Sequence, residues 1–370
     1  MSLTNKIYKY LIKPLAFRQD PEETHNSAIR LGKIISSNLF LQSALSSAYN
    51  YQNPLLEQSL LGIQFKNPVG LAAGFDKNAE IIPAMQSIGF GFTEVGATTA
   101  KSCEGNIGIR LKRFPENKSL WINLGLNNQG TDSIYQRLNL FSPKVPVGIN
   151  IAKTNCKETA NPEVAISDYV YSIKKFSSLK SISYLTINIS CPNAYGGQPF
   201  SDPKLLSSLL NEVSKLKISK PVFLKLSPDL NKKTIDKIIL LSKKHKISGF
   251  ICSNLTKSKN LKSGGFSGLP VQEKSNSLIS YVYKKTHLNP KSKKQNYNPI
   301  IIGVGGIFSA EDAYKKIKLG SNLVQLITGM IYEGPSLINE INRNLSILLK
   351  RDGFKNITEA VGSAHKNKPL

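Results

Sequence analysis

Cysteine is scarce in this chain, and the few cysteines have no metal-binding or disulfide spacing. The 370 residues include four, Cys103, Cys156, Cys191 and Cys252, and no two of them form a Cys-x-x-Cys pair. This excludes the common zinc-site patterns and a small secreted scaffold held by disulfides. A reduced, cytosolic environment is therefore expected.

Long apolar runs and acidic residues are also lacking. No apolar run approaches the ~20 residues of a membrane span, and polar residues interrupt the N-terminal segment, which excludes a signal-peptide core. Lys and Arg number 49 against 24 Asp and Glu, giving a formal charge of +25. Such a charge favours anionic partners. Because the lysines are spread along the whole chain, we interpret them as a compositional bias and expect no nucleic-acid partner.

The chain is predicted to have two parts, a helical extension over residues 1–55 and a main domain over residues 56–370. Asp20 and Pro21 predict a helix start, with an N-cap aspartate followed by proline at the first helical position. Apolar residues then follow at helical spacing. The segment 7–17 mixes lysines with aromatic and aliphatic residues. That mixture fits either ordinary packing or a helix lying at a membrane interface.

The main domain contains eight short apolar runs of the kind that form strands buried on both faces. Amphipathic helical stretches, including 161–178, 201–217, 231–245 and 309–319, separate most of them. This alternation predicts an α/β fold, a (β/α)8 TIM barrel. An open doubly wound sheet is the alternative, but no Gly-x-Gly-x-x-Gly follows the first run. The predicted strands are Pro68–Gly74, Phe92–Thr98, Val145–Ala152, Tyr184–Ser190, Pro221–Ser227, Gly249–Asn254, Pro299–Gly306 and Leu323–Gly329.

Two segments interrupt the alternation of strands and helices. Residues 99–144 lie between the second and third predicted strands. Residues 286–298 are rich in lysine and asparagine and are predicted to form a solvated surface loop.

Polar residues and glycines collect at the carboxyl ends of the predicted strands, where this fold places its functional groups. Asn150, Asn188 and Lys225 suit a neutral or anionic planar ligand rather than a metal, because Asp, Glu and His do not cluster there. The four histidines lie outside the strand ends, so a histidine-based triad is not expected. Glycine-containing turns after the seventh and eighth strands, at Gly303–Gly306 and Thr328–Gly329, predict a phosphate site.

Cys191 is the sharpest single candidate for chemistry. A cysteine at a strand end is more often a packed apolar residue than a reactive one. Here Asn188 and Asn193 flank it, Pro192 stiffens the turn, and two glycines follow shortly afterwards. This arrangement indicates a hinged loop that carries a base over a planar ligand.

At this point the sequence resembles the dihydroorotate dehydrogenases, an FMN-containing enzyme family. The resemblance covers nearly the whole chain, and the N-terminal helices are similar to the extension of the membrane-associated, quinone-using class. The motifs that carry it are LAAGFDK at 71–77, NISCPN at 188–193, KLSPDL at 225–230, GGFSG at 264–268 and IIGVGGI at 301–307.

The resemblance implies a role for each matching position. Cys191 would be the base that removes a proton from C5 of dihydroorotate while a hydride leaves C6 for the flavin, and Lys77 would be the second catalytic residue. His25 and Arg113 would line the quinone site. FMN would be held by Ala73, Gly74, Lys77, Ala97, Thr98, Asn150, Asn188, Lys225, Ser253, Gly268, Gly306, Ile327 and Thr328. Dihydroorotate would be held by Lys77, Asn123, Gly125, Leu126, Asn188, Asn193, Asn254 and Leu255. No metal is implied.

The sequence departs from the quinone-class pattern at several of these positions. Cys191 stands where that class usually has serine, and cysteine is what soluble members use. Ile122 stands where the substrate motif usually has asparagine, with Asn123 one place along. The other departures are Ala97 and Leu255 in place of threonines, and Ile327 in place of a frequent tyrosine.

Three alternatives to a quinone-dependent enzyme on the cytoplasmic side of the cell membrane therefore stay open. A soluble dihydroorotate dehydrogenase using fumarate or NAD is supported by Cys191, although the N-terminal extension argues against it. An FMN-dependent tRNA uridine reductase would suit the positive charge, but it predicts a C-terminal RNA-binding domain for which residues 330–370 are too few. A non-enzymatic basic binding protein leaves the polar strand ends unexplained.

Overall fold

The computed structural model describes residues 3–191, 194–197, 199–257, 263–289 and 297–366. Within them, eight parallel strands close into a barrel, in which each strand pairs with the next barrel strand along the chain and the last pairs with the first. All eight predicted strands are confirmed, and so is the TIM-barrel fold. The barrel strands are β3 Val69–Leu71, β4 Phe92–Thr98, β7 Val147–Ile151, β8 Tyr184–Asn188, β9 Val222–Leu226, β10 Gly249–Cys252, β12 Ile300–Val304 and β13 Leu323–Leu326.

The helices around the barrel begin where the sequence supplies side-chain caps. Asn161, Asp202, Asn231 and Ser309 each accept a hydrogen bond from a first-turn backbone N–H, which is the usual stabilisation of a helix start. The four helical stretches predicted between strands are confirmed. The helices are α5 Ile82–Ser87, α6 Thr131–Asn139, α7 Pro162–Ser177, α8 Pro203–Lys215, α9 Lys232–Lys244, α10 Leu269–Tyr283, α11 Ala310–Lys318, α12 Thr328–Glu333, α13 Ser336–Arg351 and α14 Ile357–Ala360.

Aromatic rings fill the barrel interior near the amino ends of the strands. Phe92 and Tyr184 are fully buried and belong to one apolar cluster with Phe223. Each of the first two rings occupies the space that a side chain on the adjacent strand would need. A Cβ on Gly70 would lie 2.3 Å from Phe92 Cζ, and a Cβ on Gly148 would lie 2.1 Å from Tyr184 Cζ. The barrel is therefore packed at this end, and its polar residues are left at the other.

The N-terminal extension is helical as predicted and packs against the barrel. It comprises α1 Leu3–Ile7, a π-helical turn Tyr8–Ile12, α2 Lys13–Arg18, α3 Pro21–Ser37 and α4 Leu39–Tyr49. The Asp20 carboxylate caps α3, accepting from the N–H groups of Glu22 and Glu23. None of the described helices is both long enough and apolar enough to cross a bilayer. The division of the chain at residue 55 stays a prediction.

Two small antiparallel sheets were not predicted. Strands β1 Gln58–Leu60 and β2 Ile63–Phe65 form a hairpin. A three-stranded sheet in the order β5-β6-β11 consists of Leu111–Phe114, Ser119–Ile122 and Gly265–Gly268. The glycine-rich motif at 264–268 thus forms an edge strand on the long segment 99–144.

The prediction of a solvated loop at 286–298 is wrong at its beginning. Lys284–Leu288 continues α10 as a π-helical turn, and Thr286 is fully buried with its hydroxyl donating to the Val282 carbonyl. Lysines flanking a buried threonine made the segment look uniformly polar. Residues 290–296 lie outside the described residues.

Candidate active site

One cavity of about 960 Å³ extends from the carboxyl ends of the barrel strands to the N-terminal helices. Asn150, Asn188 and Lys225 lie at its strand-end side, and Leu31 and Ile35 of α3 lie at its opposite side. The volume is at the upper end of what small-molecule and cofactor sites use. The cavity therefore joins a polar region to an apolar one.

A chain of hydrogen-bonded amide side chains forms the polar floor. Asn150 Nδ2 donates to Glu94 Oε1 at 2.7 Å, and Asn188 Nδ2 donates to Asn150 Oδ1 at 3.0 Å. Asn254 Nδ2 donates to Asn188 Oδ1 at 3.3 Å and to Ser190 Oγ at 3.0 Å. Because each amide oxygen accepts from the next amide, the orientation of every side chain in the chain is fixed. This chain of hydrogen bonds connects four strands, β4, β7, β8 and β10, across the floor.

Glu94 anchors the amide chain from inside the barrel. It is fully buried on β4, and its Oε2 accepts from Tyr184 OH at 3.1 Å and Gln325 Nε2 at 2.9 Å. Burial lowers the pKa of the nearby Lys225, while the negative charge of Glu94 acts in the opposite direction. Glu94 was not among the predicted site residues. A carboxylate inside the otherwise apolar run Phe92–Thr98 was the available signal, because a charge on a strand buried on both faces needs buried partners.

Lys77 follows β3 and lies against His25 of the N-terminal extension. Its Nζ is 3.2 Å from His25 Nε2, and the His25 ring also packs edge-on against Phe75 at 5.1 Å. Burial and the charge of Lys77 lower the pKa of His25 to about 3, so the imidazole is neutral at physiological pH. Burial likewise lowers the pKa of Lys77 to about 8. The pair lies where the polar and apolar regions of the cavity meet.

Backbone turns with unusual geometry line the cavity beside strands β3, β12 and β13. Gly74, Gly305 and Gly306 have φ values of 115°, 110° and 69°, which side-chain-bearing residues rarely adopt. Next to them, Thr328 Oγ1 is 2.8 Å from Ser267 Oγ. Turns of this kind, with hydroxyls beside them, can present several donors to an anion.

Cys191 is half-buried and lines the cavity just beyond β8. It also lines a second, small cavity of about 10 Å³ together with Lys153, Tyr169 and Asn188. The four described residues from Ala194 to Gly197 follow it. Pro192 and Asn193 lie outside the described residues, so the structure says nothing of the predicted substrate contact of Asn193.

The apolar end of the cavity is formed mainly by α2 and α3. Arg113 of β5 lies there, with its guanidinium carbon 4.8 Å from the centre of the Phe17 ring and Nη1 donating to the Gln19 carbonyl at 2.8 Å. Arg110 forms an ion pair with Glu22 nearby. Arg110 and Arg113, just before and within β5, thus connect the N-terminal helices to this side of the barrel.

Comparisons of the sequence and the structure with known proteins show the family of this chain. Residues 55–349 match the family model for dihydroorotate dehydrogenase. The chain belongs to the dihydroorotate dehydrogenase family. Two relatives named dihydroorotate dehydrogenase (quinone) cover 98% of their own length and 96% of this chain, at 40% identity in Sulfurimonas denitrificans and 36% in Gloeobacter violaceus. A crystal structure of ligand-free DHODH from Eimeria tenella superposes with a TM-score of 0.81 at 27% identity, covering 95% of this chain and all of that one.

These similarities confirm the predicted enzyme and its quinone-dependent class. They favour it over the fumarate- or NAD-using alternative, and they give no support to the tRNA reductase or the non-enzymatic binding protein. Within the described residues, no group of three or more His, Cys, Asp or Glu side chains is placed to hold a metal.

The cavity brings most of the predicted site residues of this family member together. Two described ones do not line it, Thr98 and Asn123. The Thr98 side chain is fully buried and does not reach the cavity surface. Asn123 Oδ1 accepts a hydrogen bond from Asn106 Nδ2 at 2.9 Å. The predicted residues that line the cavity are His25, Ala73, Gly74, Lys77, Ala97, Arg113, Gly125, Leu126, Asn150, Asn188, Cys191, Lys225, Ser253, Asn254, Leu255, Gly268, Gly306, Ile327 and Thr328.

The displacement of Asn123 follows from the course of the chain at the end of β6. Successive side chains of an extended segment point in opposite directions. Ile122 lines the cavity, so its neighbour Asn123 points away, and Asn127 a few residues later lines the cavity instead. Asn127 and Ser267 line the cavity and were not among the predicted site residues. The ligand contacts predicted for Thr98 and Asn123 stay predictions.

Proposed function

We propose that this protein oxidises dihydroorotate to orotate for pyrimidine biosynthesis, using FMN bound over the strand ends and a membrane quinone as electron acceptor. The single observation that carries the proposal is the continuous cavity. Its polar floor suits a planar anionic substrate and a cofactor, and its apolar end under α2 and α3 suits a quinone. One cavity thus serves both half-reactions.

The lining residues fit FMN. A cofactor phosphate would be held at Gly305, Gly306 and Thr328, and the ring system would lie against Asn150 and Lys225. Gly74 is consistent with this, because a Cβ there would project towards Ile327 Cδ1, 3.7 Å away, and narrow the cavity. Ala73, Ala97, Asn188, Ser253, Gly268 and Ile327 would complete the contacts. FMN, when bound, supplies the hydride acceptor for dihydroorotate and a donor for the quinone.

Cys191 and Lys77 would carry out the protein's part of the substrate oxidation. The Cys191 thiolate accepts the proton from C5, and the hydride leaves C6, so that the C5–C6 double bond of orotate forms. The Lys77 ammonium offsets the negative charge of the substrate carboxylate. Asn188, Asn254, Gly125, Leu126 and Leu255 would fix the substrate position. The contact with Asn193 stays a prediction.

The quinone would enter between the N-terminal helices and stop near His25 and Arg113. With Nε2 accepting from Lys77, the neutral His25 carries its proton on Nδ1 and can donate one hydrogen bond there without adding charge to the apolar end. Large apolar side chains on these helices are exposed to solvent, which supports peripheral contact with the cytoplasmic side of the cell membrane. They are Ile7, Tyr10, Leu11, Ile12, Leu15, Leu31, Ile34, Leu39 and Phe40.

Two measurements on the purified, yellow protein test the proposal. Rapid mixing with dihydroorotate should bleach the flavin, and Cys191→Ala should lower the bleaching rate by at least two orders of magnitude while orotate still binds. Cys191→Ser should be slow, with its pH profile displaced upward, because a hydroxyl ionises less readily than a thiol.

An acceptor panel then tests the second half-reaction. The reduced protein should be reoxidised by quinone and not by fumarate or NAD. Bleaching of Cys191→Ala within a few-fold of the parent rate would remove Cys191 from the mechanism. Reoxidation by fumarate or NAD alone would overturn the assigned acceptor.

A further inference from the structure

Lys153 is a buried lysine that the reaction described above does not use. It follows β7, its side chain is only 3% exposed, and its Nζ donates to the Tyr195 carbonyl at 2.7 Å and to Thr159 Oγ1 at 3.2 Å. In the described part of the chain, no carboxylate forms an ion pair with it. Burying an ammonium whose hydrogen-bond acceptors are all neutral costs folding free energy, so a contribution to stability does not explain why a lysine stands at this position.

The carbonyl that Lys153 holds belongs to the loop that carries Cys191. Tyr195 is four positions after Cys191, and its own N–H donates to Asn155 Oδ1 at 2.6 Å. The segment that follows β7 therefore binds both the N–H and the carbonyl of Tyr195. Through these two contacts, Lys153 and Asn155 connect the end of β7 to the Cys191 loop.

Lys153 and Cys191 also face the same small cavity of about 10 Å³. That volume has room for about one water molecule, and the cavity wall offers polar partners for it in Lys153, Tyr169 and Asn188. Tyr169 OH donates to the Asn188 carbonyl at 2.7 Å. The lysine and the cysteine thus lie close enough to interact electrostatically.

Several charged and titratable groups surround Lys153 and Cys191. Burial lowers the pKa of Lys153, and Cys156, Asp168, Cys191 and Cys103 act in the opposite direction. Asp168 is engaged by Thr154, whose N–H donates to it at 3.0 Å. Burial raises the pKa of Tyr169, which keeps it protonated. Lys225, on the cofactor side, also interacts electrostatically with Cys191.

We propose that Lys153 is a positioning residue that anchors the Cys191 loop through the Tyr195 carbonyl and favours the thiolate form of Cys191. A cation beside a thiol stabilises the thiolate, which is the form able to accept a proton. The inference rests on the proposed role of Cys191 as base. It explains how a thiol with an ordinary pKa of ~8.5 could act as a base at neutral pH.

The test measures Cys191 directly, without turnover. In the FMN-loaded, substrate-free protein, the rate of Cys191 alkylation by iodoacetamide is followed against pH by peptide mass spectrometry. Lys153→Met keeps the length of the side chain and removes its charge, so the midpoint should rise by about one pH unit and alkylation at pH 7 should fall about tenfold. Lys153→Arg should restore the parent midpoint. Lys157→Met, an exposed lysine on the same segment, is the matched control and should change nothing.

The same variants are then compared for flavin bleaching by dihydroorotate. Lys153→Met should be slow at pH 7 and recover towards the parent rate at high pH. An unchanged Cys191 midpoint in Lys153→Met would overturn the proposal. So would a parent midpoint at or above ~8.5, a measurement that does not depend on the variant folding. Normal bleaching in Cys191→Ala would instead contradict the proposed base and leave the midpoint measurement standing.

Discussion

The contact between Lys77 and His25 joins a strand end to the N-terminal extension. The two residues are 52 positions apart in sequence and approach to 3.2 Å. Since the His25 pKa is lowered to about 3, the imidazole is neutral, and the protonated Lys77 donates the hydrogen bond to Nε2. Burial is the main cause that lowers the Lys77 pKa to about 8, and the charge of Arg110 acts in the same direction while that of Glu22 opposes it. The charge state of Lys77 is therefore sensitive to mildly alkaline pH.

Orotate binding should become weaker as pH rises through about 8, the pKa of Lys77 in the free protein. A carboxylate ligand favours the ammonium, so above that pH binding must take up a proton, and the dissociation constant should rise up to about tenfold per pH unit. Lys77→Arg keeps its charge at all accessible pH values and should lose this dependence, even if it binds less tightly. Titration of the flavin absorbance with orotate between pH 6 and 10 measures the effect.

Lys66→Arg, an exposed lysine close in sequence, serves as the control and should retain the parent pH dependence. The same slope in Lys77→Arg as in the parent would show that another group, such as Cys191, causes the pH dependence.

At the scale of elements, the position of α3 depends on a close approach to the barrel. Gly32 is the buried residue of α3, and a Cβ there would lie 2.6 Å from Ile81 Cγ2 and 3.0 Å from Ile81 Cβ. The position of Ile81 is fixed in turn by a hydrogen bond, which its backbone N–H donates to the Asp76 carboxylate at 3.0 Å. The helix that covers the apolar end of the cavity thus rests on a segment fixed by the end of β3.

Gly32→Val should separate α3 from Ile81 and impair the second half-reaction selectively. Overpacking at such a contact costs ~1–3 kcal/mol, which the helix can relieve by moving outward. The Michaelis constant for quinone should rise several-fold, while flavin bleaching by dihydroorotate stays within about twofold of the parent, because the floor is untouched. Steady-state and rapid-mixing kinetics measure the two separately.

Ser43→Val places the same β-branched residue on the exposed face of α4 and controls for helix propensity. Parent-like quinone kinetics in Gly32→Val would mean that α3 does not shape the quinone site.

Sequence patterns predicted those elements whose signal is local. The eight barrel strands are apolar runs, and α3 begins at a capping aspartate followed by proline, so each could be recognised within a few residues. The sheet β5-β6-β11 could not, because Gly265–Gly268 pairs with a strand more than 140 residues earlier and has little apolar character of its own. The same limit applies to the site. The strand-end amides were predicted, whereas the contact of Glu94 with Gln325 spans 231 residues and only the closed barrel creates it.

The whole molecule combines a formal charge of +25 with apolar side chains exposed on one terminal region. Leu39 and Phe40 at the start of α4 are 75% and 79% exposed. Positive charge attracts the protein to anionic lipid over the Debye length, and apolar insertion then holds it there. The two contributions respond differently to salt, because ionic screening weakens the electrostatic attraction but does not weaken the apolar insertion.

Binding to vesicles that contain phosphatidylglycerol should therefore decrease with salt but not disappear. Replacing both Leu39 and Phe40 by Ser removes on the order of 3 kcal/mol of possible apolar burial, so affinity should fall about a hundredfold. The double variant Leu140→Ser and Leu240→Ser removes two comparably exposed apolar residues from the barrel domain and should bind like the parent. Cosedimentation measures binding, and flavin bleaching by dihydroorotate should be unchanged in both variants. If the two double variants bind equally well, the N-terminal helices are not the membrane contact, and the charge of the whole surface would have to account for binding.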